Sequence, residues 1–315
     1  MIRITAKLST RYHPGLGEFE ARSLPRSRLD PVFRSYARRL RPARPRAVSG
    51  KPLVFTTLFG DSAYEDCLDL TLTTLYRYGG YRGDILLLTD RPETMIRRRF
   101  ARHCCGKLLI QPIDYADAET AMLQRFRLTE FGLDGYGPFL HLDSDILVLG
   151  PIAPILEATY GSSKFLIATE DRFCPQYRDI PAQALPEDGI TDWYGVWLMK
   201  QRNSQIAHLR FANAGAFAFA GLALVHDLFA DVFALGTAQR GTRFAHFGDQ
   251  PILNILLHER HLGDFDVLDA ALDYLRPIAT PSRTRPFLHF NAIHGGPAKR
   301  AAMQGFLDAC AIADA

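Results

Sequence analysis

The apolar run from Phe139 to Leu149 is interrupted by two carboxylates, Asp143 and Asp145, one residue apart. The residues before the pair predict a buried β-strand that ends at this point. Because residues i and i+2 of an extended chain point the same way, both carboxylates can converge on one Mg²⁺ or Mn²⁺ ion, which usually shares its ligands with substrate phosphates. Unpaired buried carboxylates are costly, so the pattern predicts either a metal site with a diphosphate ligand or a strand end with two solvated aspartates.

Segments with strand and helix patterns alternate around this pair. Alternation of this length predicts an α/β domain with a mostly parallel sheet, whose ligands collect at the carboxyl ends of the strands, where the Asp pair falls. The predicted strands are 52–59, 84–89, 108–110 and 138–142, and the predicted helices are 62–78, 92–103 and 118–131.

The second half of the chain has weaker periodicity. Residues 173–210 are rich in Pro, Gly and aromatic residues and are predicted to form a long loop or lid, in which Trp193 and Trp197 either stack on a sugar ring or anchor the loop by burial. Apolar segments return after it, with a helix pattern and a final strand pattern at 211–224, 249–258 and 286–290.

Composition excludes several classes of protein. Hydrophobic residues make up 47% of the 315 residues, enough for a sizeable core, yet no run of about 18 uninterrupted apolar residues predicts a membrane span. The first residues lack the pattern of a signal peptide. The cysteines are odd in number and show no CxxC pairing, so we expect reduced thiols in a cytoplasmic protein; they are Cys67, Cys104, Cys105, Cys174 and Cys310.

The net charge of +3 is unevenly distributed. Residues 1–50 hold 11 Arg and one Lys against three acidic residues, which gives this basic extension a charge of +9 and leaves −6 for the rest. Such an arm is suited to contact an anionic membrane surface or nucleic acid, or it is a solvated or docked extension. Nucleic-acid binding is not expected, because no aromatic stacking platform accompanies the arginines.

Several motifs occur in an order that resembles the glycogenin and lipopolysaccharide-galactosyltransferase type of glycosyltransferase, which is retaining and contains a DxD motif. No motif is specific alone, and the resemblance rests on their order and spacing across residues 52–300. The matching segments are Leu53–Leu58 with Asp61 and Tyr64, Leu123–Glu130, His141–Gly150 (similar to "LDxDxLVLG"), Phe211–Gly215 ("FNAG"), Gly248–Asn254 ("DQxxLN") and Gly296–Lys299 ("GxxK").

The resemblance implies a GT-A fold, a Rossmann-like, mostly parallel central sheet flanked by helices. We expect one large domain at 51–300, with a nucleotide half at about 51–150 and a sugar and acceptor half, including an acceptor-side insert, at about 151–300. The basic extension at 1–50 would precede it and a tail at 301–315 would follow.

By the same resemblance, Asp143 and Asp145 would bind Mn²⁺ or Mg²⁺ across the diphosphate of a UDP-sugar. The third ligand is either His289, at the end of the last strand, or His294, whose spacing to Lys299 is closer to the family pattern. Lys299 would contact the phosphates. Ser144 and Gly296 would line the same site. The Pro-Trp that usually follows the lysine is replaced here by Arg-Ala.

The remaining implied site residues divide between nucleotide and sugar. The base, ribose and phosphates would be contacted by Thr57, Leu58, Asp61, Tyr64, Asp90 and Arg125. The donor sugar and the anomeric centre would be contacted by Asn213, Asp249 and Gln250. Five of these residues also have an ordinary interpretation: helix capping for Asp61 or Asp249, burial for Tyr64, a turn for Asn213 and a helix-surface salt bridge for Arg125.

The sequence therefore predicts a cytoplasmic, metal-dependent glycosyltransferase that transfers a sugar, most plausibly from a UDP-hexose, with retention. The acceptor would be a glycan, a lipid-linked molecule or a small molecule, with peripheral membrane contact through the basic arm. The alternative is a catalytically degenerate scaffold of the same fold that binds a nucleotide-sugar or a glycan. A phosphatase with an Asp nucleophile is disfavoured, because its aspartates follow the first strand of the fold.

Overall fold

The computed structural model describes residue 40 and residues 42–114, 117–242, 244–275, 285–291 and 293–314. Most of the basic extension lies outside these residues. Its described part, residues 42–50, runs along the body, where the Ala43 N–H donates to the Arg77 carbonyl at 3.0 Å and the Ser49 N–H donates to Glu157 at 2.9 Å.

Strands alternate with helices between residues 53 and 142, as the sequence predicted. In chain order the strands are β1 (Leu53–Leu58), β2 (Asp84–Thr89), β3 (Leu108–Pro112), β4 (Phe139–Leu142), β5 (Ile146–Val148), β6 (Phe165–Thr169), β7 (Ala212–Phe219), β8 (Gly263–Asp264), β9 (Leu272–Tyr274) and β10 (Phe287–His289). The α-helices are α1 (Ala63–Arg77), α2 (Glu93–Phe100), α3 (Ala118–Leu123), α4 (Ala153–Tyr160), α5 (Gly189–Trp193), α6 (Val196–Gln201), α7 (Leu222–Gln239), α8 (Gln250–Glu259), α9 (Asp266–Asp269) and α10 (Gly296–Asp314).

Seven strands form one central sheet in the order β3-β2-β1-β4-β7-β6-β8. Strands β1 to β4 are parallel where they pair, whereas β7 is antiparallel to both β4 and β6. The fold is therefore mixed α/β with a mostly parallel sheet. A smaller sheet of β5, β10 and β9 lies beside it.

Helices cover both faces of the central sheet because successive side chains of each strand alternate between two cores. On β7, Phe217 and Phe219 belong to the core under α7 and α8, while Ala216 and Ala218 belong to the core under α1 and α4. These side chains are at most 1% exposed. Burial on both faces explains why the strands consist of nearly continuous apolar residues.

The antiparallel strand β7 places part of the second half of the chain beside the Asp pair. Leu142, the last residue of β4, pairs with Ala216, so residues 213–215 lie next to the turn that follows β4. Thr169, the last residue of β6, pairs with Ala212. The carboxyl ends of β1, β2, β4 and β6 therefore meet the start of β7 at one edge of the sheet.

Three segments differ from the sequence-based expectations. The region 173–210, predicted as a loop, contains helices α5 and α6 and several 3-10 turns. The predicted helix 118–131 divides into α3 and a 3-10 segment at Gln124–Glu130, with non-helical backbone angles at Arg127. The tail expected at 301–315 continues helix α10 to Asp314, and Met303, Phe306 and Cys310 are buried against α1 and the small sheet.

Helix α7 is long and apolar enough, by length and composition alone, to cross a membrane. Core helices of other proteins can have the same length and apolar composition. Helix α7 buries Leu228, Phe229 and Val232 in the core, while Asp227 and Asp231 lie on its other side. The helix therefore packs as an amphipathic core helix of this fold.

Candidate functional site

The two aspartates after β4 lie at the edge where the strand ends meet. The Asp143 N–H donates to the Gly215 carbonyl of β7 at 2.8 Å, and the Asp145 carbonyl accepts from the Phe290 N–H at 3.1 Å. The turn is therefore attached to the central sheet on one side and to the small sheet on the other. This attachment defines the direction of both carboxylates.

His289 joins the two carboxylates. Its Nε2 lies 3.1 Å from Oδ1 of Asp145 and 3.9 Å from Oδ2 of Asp143. The ligand atoms of the three side chains lie within 4.8 Å of one another, and two carboxylates with one imidazole are a donor set suited to Mn²⁺ or Mg²⁺. Of the two histidines considered from the sequence, His289 belongs to this group, whereas His294 does not.

Gly215 forms the floor against which His289 packs. A Cβ on Gly215 would lie 2.2 Å from Cε1 and 2.9 Å from Nδ1 of His289. Since real side chains do not approach so closely, only glycine allows the imidazole to reach the aspartates. The glycine of the Asn-Ala-Gly segment is thus a structural requirement of the Asp143–Asp145–His289 group.

Lys299 lies on the opposite side of Asp145. Its ammonium group forms an ion pair with Oδ2 of Asp145 and is positioned over the Tyr64 ring at 5.8 Å. Burial by itself would raise the pKa of Asp145, but the charge of Lys299 and the contact with His289 hold that pKa far below its usual range. Asp145 is therefore ionised and paired with the positive charge of Lys299.

Arg125 lies beneath the site rather than in it. Its side chain is 7% exposed and its guanidinium contacts both oxygens of Asp249, with Nη2 at 2.7 Å from Oδ1 and Nε at 2.9 Å from Oδ2. The same guanidinium donates to Asp143 at 3.1 Å and contacts His141 at 2.9 Å. Arg125 thus links the Asp pair to the start of α8 through a buried ion pair, not through the helix-surface salt bridge that was its ordinary interpretation.

The residues expected to bind the nucleotide lie at the ends of β1 and β2 or shortly after them. The side chain of Leu58 is 1% exposed and belongs to the core, so only its backbone could face a ligand. Asp61 caps the turn into α1 by accepting the Ala63 N–H at 2.9 Å, and Asp90 is paired with Arg91 at 3.0 Å. The hydroxyl of Thr57 is buried and has no hydrogen-bond partner among the described residues.

Two of the remaining expected residues contribute backbone near the aspartates. The Ser144 carbonyl accepts from the Thr71 hydroxyl at 2.8 Å, which ties the Asp pair to α1. At Gly296 a Cβ would lie 2.9 Å from Cβ of Ala63, so a glycine lets the start of α10 approach the start of α1. This close approach brings Lys299, in the first turn of α10, to Asp145.

The residues expected to contact the sugar lie at the start of β7 and at the start of α8. The Asn213 side chain donates to Glu170 at 3.0 Å and accepts from the Gly215 N–H at 3.0 Å. Gln250 is 8% exposed, and its Oε1 accepts from the Ala214 N–H at 3.1 Å. Asp249 is occupied by Arg125, so a direct contact of its carboxylate with a sugar would require that pair to open.

Comparison with solved structures identifies the fold. The "WbbM bifunctional glycosytransferase apo structure" superposes with a TM-score of 0.53 at 13% identity over 85% of this chain and 53% of that chain. Mouse xyloside xylosyltransferase 1 in its apo form superposes with a TM-score of 0.50 at 10% identity over 77% of this chain and 99% of that chain. This chain has the fold of a GT-A glycosyltransferase.

The GT-A likeness is one of structure rather than sequence. The sequence matches no protein-family model and no curated protein sequence. The chain spans about half the length of the WbbM protein, so that protein's full activity is not carried over. The Asp143–Asp145–His289 group lies in a scaffold shared with glycosyltransferases.

The segment at 173–210, called the insert from here on, contains both tryptophans. The Trp197 ring is 4% exposed and stacks on Phe244 with centroids 3.9 Å apart, so it anchors the insert by burial. Trp193 is half-buried, and its ring packs edge-on against that of Phe247 with centroids 5.6 Å apart. Phe247 is close in sequence to Gln250. Of the two, Trp193 is the one whose position remains compatible with contact to a sugar.

Three residues of the GT-A site were not singled out by the sequence analysis. His141 was seen only as part of a strand motif, yet its Nε2 lies 3.0 Å from Oδ1 of Asp143, and burial lowers its pKa to about 4. Glu170 follows β6, and Asn291 follows β10. For Glu170 the available signal was a polar residue directly after a buried strand, the same signal that identified Asp143.

Proposed function

We propose that this protein is a metal-dependent glycosyltransferase that transfers a sugar from a UDP-sugar, specifically a UDP-hexose, to an acceptor with retention of configuration. The observation that carries the proposal is the group of Asp143, Asp145 and His289, with ligand atoms within 4.8 Å, beside Lys299 in a GT-A fold. The donor, the metal and retention are inferred from the resemblance of the motifs.

In this proposal Asp143, Asp145 and His289 hold Mn²⁺ or Mg²⁺. When bound, the metal neutralises the charge that develops on the diphosphate as the glycosidic bond breaks. Lys299, which is paired with Asp145, would supply a positive charge to a phosphate of the donor. Arg125 keeps Asp143 oriented from below, and Gln250 and Asn213 face the sugar.

The test begins with thermal unfolding of the full chain in the presence of UDP, GDP, CDP or ADP, each with and without Mn²⁺. A ligand that binds only the folded state stabilises it by about 2.7 kcal/mol at a hundred times its Kd. We expect stabilisation by UDP only when Mn²⁺ is present, and its loss in Asp145→Ala. Stabilisation of Asp145→Ala equal to that of the wild type would refute the site assignment.

The alternative of a degenerate scaffold makes a different prediction. It is supported by the replacement of Pro-Trp by Arg300 and Ala301 after Lys299. Such a protein would bind UDP and Mn²⁺ yet release no UDP from any UDP-sugar. An enzyme would release UDP, and NMR of the transferred or hydrolysed sugar would show the α or β anomer formed first and thereby test retention.

We further propose a cytoplasmic location with peripheral contact to the inner face of the membrane. Exposed Arg44 and Arg46, together with the other arginines of residues 1–50, support contact with anionic lipids at about 1 kcal/mol per basic residue near the surface. Flotation of the full chain with vesicles containing phosphatidylserine should fall when the arginines at 34, 38, 39, 41, 44 and 46 are replaced by Gln. Unchanged flotation would exclude this contact.

A further inference from the structure

Glu170 is a buried carboxylate at the carboxyl end of β6, beside the sugar-side residues. It is 2% exposed. Its Oε1 accepts from the side-chain amides of Asn213, at 3.0 Å, and Asn291, and its Oε2 accepts from the Tyr194 hydroxyl. The three donors come from β7, from the turn after β10 and from the insert, so one carboxylate connects three separate segments of the chain.

These hydrogen bonds determine which way each amide points. Because a carboxylate oxygen accepts, both Asn213 and Asn291 turn their NH₂ groups toward Oε1 of Glu170 and their oxygens away. The Oδ1 of Asn213 accepts from the Gly215 N–H at 3.0 Å. The Oδ1 of Asn291 is buried and has no hydrogen-bond partner in the described part of the chain.

A second unsatisfied atom lies on the neighbouring side of β7. Gln250 accepts from the Ala214 N–H through Oε1, which leaves Nε2 as a buried donor with no partner among the residues that the structure describes. A buried polar atom without a partner costs about 1–3 kcal/mol. The unsatisfied acceptor of Asn291 and the unsatisfied donor of Gln250 therefore indicate a ligand that carries both hydrogen-bond donors and hydrogen-bond acceptors.

We propose that Asn291 Oδ1 and Gln250 Nε2 recognise hydroxyl groups of the transferred sugar, and that Glu170 is the positioning residue that holds Asn291 in the required orientation. This inference rests on the proposed function. A hydroxyl group both donates and accepts, so it satisfies either atom.

The same arrangement selects the class of sugar. An acceptor-only group of the sugar, such as the carboxylate of a uronic acid, would be disfavoured against the Asn291 oxygen, because two acceptors would face each other. The site therefore favours a neutral sugar with a free hydroxyl at this position over a sugar acid.

Tyr194 extends the role of Glu170 to the insert. Its ring stacks on Phe211 with centroids 4.4 Å apart and an interplanar angle of 4°, and its hydroxyl donates to Glu170. The Glu170 N–H donates to the Phe211 carbonyl at 2.7 Å. The carboxylate is thus held in place by the backbone and by the insert while it orients the two amides.

The test compares the nucleotide with the nucleotide-sugar. Calorimetry with Mn²⁺ would give Kd values for UDP, UDP-glucose, UDP-galactose and UDP-glucuronic acid in the wild type and in Asn291→Leu, Asn291→Ser and Glu170→Gln. We expect the wild type to bind at least one neutral UDP-sugar more tightly than UDP and UDP-glucuronic acid less tightly. The two substitutions of Asn291 should reduce this preference by about tenfold, the value of one to two hydrogen bonds, with UDP affinity unchanged.

Glu170→Gln separates positioning from bulk structure. A Gln side chain of the same shape offers a single acceptor oxygen, so it can accept either from the two Asn amides or from the Tyr194 hydroxyl but not from all three, and Asn291 is held less firmly in both cases. We expect a weaker preference for the neutral sugar and a smaller discrimination against UDP-glucuronic acid, while UDP affinity stays within about twofold of the wild-type value. A purely structural role would lower all four affinities together.

The outcomes distinguish this inference from the proposed function. Tight binding of UDP with Mn²⁺ and an unchanged neutral-sugar preference in the folded Asn291 variants would overturn the inference and leave the function standing. Equal affinity of the wild type for UDP and all UDP-sugars would also overturn the inference. Absence of any UDP binding by the folded wild type would overturn the proposed function itself, and the inference with it.

Discussion

At the scale of single residues, the Asp143–Asp145–His289 group depends on the absence of a side chain at Gly215. His289 reaches Asp145 only because Gly215 has no side chain at the point where the imidazole lies. The sequence motif Asn-Ala-Gly identified this position, but the reason for its glycine is a contact between β7 and β10. That contact joins residues 74 positions apart in the chain, so local patterns contain no sign of it.

Gly215→Ala should therefore weaken metal binding directly. The new Cβ would lie 2.2 Å from Cε1 of His289, so the ring must move away from the carboxylates. We expect Mn²⁺ affinity, measured as a melting shift in the presence of UDP, to fall by about 10–100-fold, with a loss of about 1–3 kcal/mol in unfolding free energy.

Gly161→Ala is the matched control for this substitution. Its Cβ would meet nothing within 4 Å, and its φ is −86°. The control should bind metal like the wild type. Equal Mn²⁺ affinity in both variants would mean that His289 does not bind the metal.

Arg125 and its neighbour Arg127 provide a comparison between a buried and an exposed ion pair. Arg125 is 7% exposed and its partner Asp249 2%, whereas Arg127 and Glu130 are 32% and 51% exposed. Removing one partner of a buried pair costs about 3–5 kcal/mol because the other charge stays unpaired. An exposed pair contributes about 0–1 kcal/mol.

We expect Arg125→Met to lower the unfolding free energy by about 3–5 kcal/mol and Arg127→Met by less than about 1 kcal/mol, measured by urea denaturation. Adding Asp249→Leu to Arg125→Met should recover at least about 1 kcal/mol, since it removes the orphaned carboxylate. Strictly additive losses would show that the pair does not interact as the structure indicates.

At the scale of secondary-structure elements, the insert at 173–210 is where sequence and structure differ most. Its residues have little periodicity, because its helices are short and are stabilised by contacts with the body rather than by an amphipathic face. Asp188 caps α5 by accepting the Ile190 and Thr191 N–H groups at 2.9 and 2.8 Å, and Trp197 anchors α6. Isolated helices of five or six residues are not stable in water, so only the tertiary contacts define them.

The two tryptophans of the insert should respond differently to substitution. Trp197→Ala removes a ring that is 4% exposed and stacked on Phe244, and it should cost about 3–5 kcal/mol of unfolding free energy. Trp193→Ala removes a half-buried ring and should cost less than half of that, measured by chemical denaturation. A larger loss for Trp193 would contradict the anchoring role of Trp197.

At the scale of the whole molecule, acid should destabilise the fold through buried neutral histidines. Burial lowers the pKa of His258 to about 4, and the charge of Arg210 acts in the same direction. Its Nε2 accepts the Arg210 N–H at 3.1 Å, which requires this nitrogen to carry no proton. Because the unfolded chain binds this proton near pH 6.5, stability is complete above that pH and falls as the pH decreases toward about 4.

We expect His258 to account for about 1–2 kcal/mol of the stability lost between pH 7 and pH 5. In His258→Asn the unfolding free energy, measured at pH 7, 6 and 5, should decline less steeply by that amount. His226→Asn is the control, because His226 lies on the exposed side of α7. Parallel pH profiles for the wild type and His258→Asn would contradict the depressed pKa.

The sequence by itself determined the α/β class, the alternation of the first half and the strand that ends in Asp143 and Asp145, because these depend on local patterns of apolar and polar residues. The candidate motifs and their order along the chain were also read from the sequence alone. Only the tertiary structure showed that His289, and not His294, lies with the two aspartates, and that Arg125 lies beneath them. It also showed that the insert contains helices and that Glu170 is hydrogen-bonded to Asn213 and Asn291. These depend on contacts between distant segments, and above all on the antiparallel strand β7, whose register decides which residues of the second half meet the carboxyl ends of the first.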